Sequence, residues 1–109
     1  MPTQETIFID TNTDTDLLFH INNFESLAGY VLKMEIRGEE PINGVRPLVG
    51  AFIMNIESPT SFRATLPHTV SGTIPEGEYL TDVLAIGARR VYITPVLKVI
   101  VTSRITLPG

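Results

Sequence analysis

The chain has 109 residues, 43% of them hydrophobic and 18% charged, with a formal net charge of −4 and no cysteine. That length closes one hydrophobic core, so residues 1–109 are expected to form a single domain, and the missing thiols exclude disulfides and thiolate metal sites. The eight lysines and arginines are scattered instead of forming the cationic stripe that duplex nucleic acid needs, and no apolar run reaches the length of a membrane span.

Met1-Pro2-Thr3-Gln4-Glu5 has neither the basic nor the apolar region of a secretory signal, so the product is expected to be made and kept soluble in a cytoplasm. A first short strand is predicted over Thr6 to Ile9. Asp10, Asn12, Asp14 and Asp16 follow at alternate positions, which is how an oxygen-ligand calcium loop begins. The sixth and twelfth places of that loop need glycine and glutamate, and here they hold Thr15 and Ile21. A polar turn leading into a strand is the simpler reading. Leu17, Phe19 and Ile21, set against His20 and Asn22, predict that strand up to Asn22. Leu17, Ile21, Phe24 and Ala28 would also line one helical face, but Asn22-Asn23 suits a turn better than a helix interior.

The clearest period-two segment runs from Tyr30 to Arg37, with Tyr30, Leu32, Met34 and Ile36 on one face and Val31, Lys33, Glu35 and Arg37 on the other. Phe52, Met54 and Ile56 alternate within a run from Leu48 to Ile56. Phe62, Ala64 and Leu66 alternate with Arg63 and Thr65 between Pro59 and Pro67. Tyr79 to Ile86 and Val96 to Thr102 are rich in β-branched residues, and Gly77, Gly87 and Pro95 interrupt any longer helical pattern. Arg89-Arg90, the one basic pair, reads as a solvated hairpin turn. Seven or more short strands result. The expected fold is all-β, an antiparallel Ig-like β-sandwich of about seven to eight strands, with a barrel giving a similar pattern.

Chemistry is sparse. His20, expected on the polar face of its strand, and His68, expected in a loop after Pro67, are far apart in sequence and have no cysteine or second histidine at ligand spacing. No serine sits in a nucleophile elbow, and neither a phosphate-cradling loop nor a dinucleotide fingerprint occurs. No catalytic, cofactor-binding or metal-ligating residue is therefore assigned, and no enzyme is expected. Asp82 is the odd residue: it interrupts an apolar strand between Leu80 and Leu84, where a buried carboxylate must find donors or shift its pKa. A structural partner, an arginine or a backbone amide, is the expected answer. Two carboxylates converging in a cleft would revive a hydrolase reading.

Asp14-Thr15-Asp16 leading into Leu17-Leu18-Phe19-His20-Ile21, the step Leu27-Ala28-Gly29-Tyr30 and a strand closing on Ile36-Arg37 stand in an order found elsewhere. Gly77-Glu78-Tyr79, Asp82-Val83 and Ile105-Thr106 continue it. Residues 14 to 106 thereby resemble small β-sandwich proteins of phage and prophage tail regions, similar in style to the N-terminal domain of baseplate upper proteins. Thr81 stands where such proteins often have an aromatic residue, and Gly38 to Pro47 form an insert rich in turn formers.

The resemblance implies a bacteriophage virion structural or assembly protein, a tail, connector, baseplate or capsid decoration component in many copies related by symmetry. Its implied partners are other virion proteins and further copies of itself, with no sequence-specific nucleic acid and no membrane. It carries over no binding residues. Apolar surface on one sheet or edge is the physical expectation. A carbohydrate-binding or adhesion module is the alternative. It is disfavoured because the chain has no tryptophan, and two of Tyr30, Tyr79 and Tyr92 point inward by alternation. Whether Ile7 and Ile9 form a strand in this domain or reach into a neighbour stays open at this level.

Overall fold

The structure, a computed structural model, describes residues 5–22 and 24–103. Ile105-Thr106, the last segment of the resemblance, lies outside the described residues. Within them the chain runs β1 (Thr6–Asp10), β2 (Thr15–His20), β3 (Val31–Gly38), β4 (Leu48–Ala51), β5 (Ile53–Ser58), β6 (Ser61–Leu66), a helical turn α1 (His68–Ser71), β7 (Gly77–Ile86), β8 (Arg90–Tyr92) and β9 (Leu97–Thr102). The protein is all-β in two sheets. The larger has the order β1-β9-β7-β3-β4 with β8 also on β7, and the smaller has the order β2-β6-β5.

Alternation dictates which side chains meet between the sheets. Leu32, Met34 and Ile36 of β3, Val83 and Ala85 of β7, and Val99 and Val101 of β9 form one face of a common core. Phe62, Ala64 and Leu66 of β6 form the other. Phe62 lies opposite Phe19 in the β2–β6 ladder, and the two rings stack at 4.9 Å. Ile9 is fully buried in the same cluster, so Ile7 and Ile9 belong to a strand of this domain.

Three expectations are corrected by the tertiary arrangement. The larger sheet is mixed instead of wholly antiparallel, because β1 pairs parallel to β9. Parallel neighbours need a long crossover, and here nearly the whole domain lies between the two strands. The run from Leu48 to Ile56 is two strands in different sheets. It breaks at buried Phe52, whose N–H still donates to the Met34 carbonyl at 2.9 Å. His68, read as a loop residue, opens α1.

The far end of β7 shows a further departure. The bend lies at Gly87 to Arg89, so Arg89 is in the turn and Arg90 already opens β8. Leu84 pairs with Tyr92 and Thr81 with Leu97, which sets Asp82 and Val83 against residues 93–96. β8 and β9 are thus one strand broken by a two-residue excess. The break contains Pro95, which has no N–H to offer a ladder.

Candidate functional site

On the outer face of the larger sheet lies an open groove of about 570 Å³. Its floor is built by cross-strand pairs. Glu35 of β3 lies opposite Asp82 of β7, Lys33 opposite Leu84, and Arg37 opposite Leu80. Val45 and Arg46 form one wall, and Tyr92 and Val96 form the other.

The first wall exists because residues 39–47 fold back as a tight hairpin tip. Ile42 and Val45 exchange both backbone hydrogen bonds, at 2.8 and 3.1 Å, while Asn43 and Gly44 take φ of 52° and 81°. Two consecutive positive φ values define a type I′ turn, and Asn-Gly is its preferred pair. This signal was present in the sequence, hidden in a segment that reads only as rich in turn formers. Arg37 then ties the tip down, its guanidinium donating to the Arg46 carbonyl at 2.7 Å.

Asp82 stands on this outer face and not in the core, which corrects the burial expected for it. Pairing Met34 with Val83 turns Thr81, Val83 and Ala85 inward, so Leu80, Asp82 and Leu84 must face outward. No arginine or backbone amide hydrogen-bonds to the Asp82 carboxyl among the described residues. Partial burial, and then the Glu35 charge beside it, raise its pKa above the ordinary 3.8, with Arg37 opposing. Glu35 is displaced the other way: hydrogen bonds from the Arg37 guanidinium, and then the nearby charges, hold it below its ordinary 4.5. Both Glu35 oxygens are engaged, Oε1 by Arg37 at 2.8 Å and Oε2 by Lys33 at 3.5 Å.

The groove does bring two carboxylates together. An acid–base pair, however, needs both to reach a substrate, and here the two cations occupy Glu35. What remains is Asp82 as an acceptor beside an exposed ring, that of Tyr92, which is 64% exposed. Tyr92 is thus the one tyrosine that lies open on the groove. The other two tyrosines hold loops: Tyr79 Oη donates to the Pro75 carbonyl at 2.6 Å and Tyr30 Oη to Glu25 at 3.1 Å.

The alternating Asp/Asn segment serves separate elements. Asp10 accepts from the Thr102 hydroxyl at 3.0 Å. Asp14 accepts from the His68 N–H at 2.7 Å, at the start of α1. Asp16 pairs with Arg63 at 2.9 Å. The hydrogen bonds from His68, backbone first, lower the Asp14 pKa. Among the described residues no group of three or more His, Asp or Glu side chains is placed to hold a metal ion. His20 lies exposed at the end of β2, remote in the fold from His68. Scanned against protein-family models the chain matches none, and a search of curated proteins returns no match.

Proposed function

We propose that this protein is a non-enzymatic structural or assembly component of a bacteriophage particle, working through protein–protein contacts on an Ig-like sandwich. The observation that carries the reading is the apolar surface on the outer face and rim of the larger sheet. Phe8, Val31, Val45, Leu48 and Tyr92 are each more than half exposed there, spread from the β1 edge to the β4 edge, and exposed apolar side chains on a sheet face are places where a partner can bury area.

The Ig-like part is supported by strand order. An order β2-β6-β5 packed on β4-β3-β7-β9 corresponds to strands B-E-D on C′-C-F-G of a variable-type domain, with β1 added beside the last strand. Tyr79, near the start of β7, bonds back to the chain four residues upstream, as the tyrosine corner of such domains does. The inter-sheet disulfide and the packed tryptophan of antibody domains have no counterpart, since the chain contains neither residue. The segments that carry the resemblance include fold positions: Leu27 is buried, and Gly29 at φ 82° closes the turn into β3.

Light scattering on the protein alone, then mixed with the products of neighbouring genes, tests the reading. A stable complex with a capsid or tail protein is expected. Failure to bind any of them would overturn it. The exposed Tyr92 ring beside Asp82 favours a second reading, an adhesion module that takes a saccharide in the groove. Binding on a glycan array that Tyr92→Ala abolishes would establish that reading in place of the first.

A further inference from the structure

Among the described residues five strands have a neighbour on one side only: β1, β4 and the three-residue β8 in the larger sheet, and β2 and β5 in the smaller. A bare edge offers unpaired N–H and C=O groups, and natural sheets blunt such edges with bulges, covers and charges. β4 is irregular against β3 at Ile36/Arg37, and its Gly50 lies close under Val70 and Ile74. β5 is irregular at Ile56/Ser58, and β2 sets exposed Asp16 and His20 along its outer face. From Thr6 to Ile9 β1 has no such device, and its one charge, Asp10, stands at the end of the ladder. It pairs with β9 without a break from Thr6 to Asp10, and its central Phe8 is 70% exposed, the largest value among the exposed apolar residues.

The hydrogen-bond pattern shows which groups of β1 are open. In a parallel ladder one residue directs both its N–H and its C=O to the same side, and the next residue directs both to the other. The Glu5 carbonyl accepts from Lys98 N–H at 3.0 Å and Thr11 N–H donates to the Thr102 carbonyl at 2.8 Å, so Glu5, Ile7, Ile9 and Thr11 face β9. Thr6, Phe8 and Asp10 therefore face the free edge. The Asp10 carbonyl already accepts from Thr13, from its N–H at 3.3 Å and its hydroxyl at 2.6 Å. Among the described residues Thr6 and Phe8 retain the open pairs.

We propose that β1 pairs antiparallel with β1 of a second copy of this chain, about a two-fold axis at Ile7. That register sets Thr6 opposite Phe8 of the other copy, and the open N–H and C=O groups satisfy one another in both directions. An axis at Phe8 would need the Asp10 carbonyl, which is engaged. The same edge serves both copies, as a closed two-fold contact requires. The Phe8 rings then lie diagonally across the axis on one face, within reach of each other. The contact concerns this chain alone and does not rest on the virion reading. One strand pair is small beside the roughly 1,200 Å² of a standard stable interface, so the association is expected to depend on concentration.

Sedimentation equilibrium from micromolar to millimolar protein tests the pairing. The mass is expected to rise from 12.0 kDa toward twice that value. Phe8→Pro removes the outward N–H together with the exposed ring, neither of which the β1–β9 ladder uses, and should leave a folded monomer at every concentration. A cysteine-free chain also permits a register test. At the axis Ile7 forms a non-hydrogen-bonded pair whose Cα atoms lie about 4.5 Å apart, within disulfide range. Ile7→Cys should therefore form a linked dimer on mild oxidation, faster than Thr6→Cys does. A wild-type monomer at all concentrations, association that Phe8→Pro leaves intact, or faster linking through Thr6→Cys would overturn the proposal. Should Phe8→Pro fail to fold, the relative linking rates decide.

Discussion

Phe62 and Asp82 show how one strand position can bury a side chain fully or only in part. Phe62 has no exposed surface and stacks on Phe19, tying β6 to β2 as well as to the opposite sheet. Phe62→Ala is expected to destabilise the protein by about 3–5 kcal/mol in urea unfolding, because the site is ringed by strands that cannot collapse into the space. Arg63, next to it, faces outward and spans the smaller sheet, bonding Asp16 of β2 and Glu57 of β5. Asp82 carries the opposite cost. Its pKa is raised in the fold, so the folded state holds its proton more tightly than the unfolded chain does. Stability from this group is present below the ordinary 3.8 and is lost as pH rises through the folded value. Asp82→Asn is therefore expected to raise the melting temperature at neutral pH. The advantage should disappear once both states are protonated, which a series of thermal melts from pH 7 to the acid range would show.

Among the elements, the β3–β4 hairpin turns on Gly44. Gly44 at φ 81° has open space around the position of a Cβ, so the cost of a side chain there is conformational and not steric. Gly44→Ala is expected to cost about 1 kcal/mol in chemical denaturation and to loosen the Val45–Arg46 wall of the groove. The strands around the turn were legible because period-two alternation is strong: Leu32, Met34 and Ile36 are buried as the pattern demands. Asp82 was misplaced because Leu80 and Leu84 make the wrong face of β7 look apolar. Thr81, Val83 and Ala85 take the core side, where Thr81 satisfies its hydroxyl on the Glu35 carbonyl at 2.7 Å. Alternation gives two faces. It does not say which one is inside when both are apolar enough.

For the whole molecule, pairing predicts the order of local stability. β7 is paired with β3 on one side and with β9 and β8 on the other, and β6 lies between β2 and β5. Amide hydrogen exchange is expected to be slowest in β3, β6 and β7 and fastest among the strands in β8. Within β1 a monomer should show slow Ile7 and Ile9 beside fast Thr6 and Phe8. The groove was not legible in the sequence: Lys33, Glu35, Asp82 and Tyr92 come from three strands, and only the β3–β7 and β7–β8 registers make them neighbours. By itself the sequence determined the all-β class, most of the strands and their turns, because side-chain alternation and turn chemistry act over a few residues. The tertiary structure alone decided that Leu48 to Ile56 divides between two sheets, that β1 joins β9 in parallel, and that Asp82 faces solvent. Those outcomes depend on hydrogen bonds and packing between segments far apart in the chain, where local pattern carries no information.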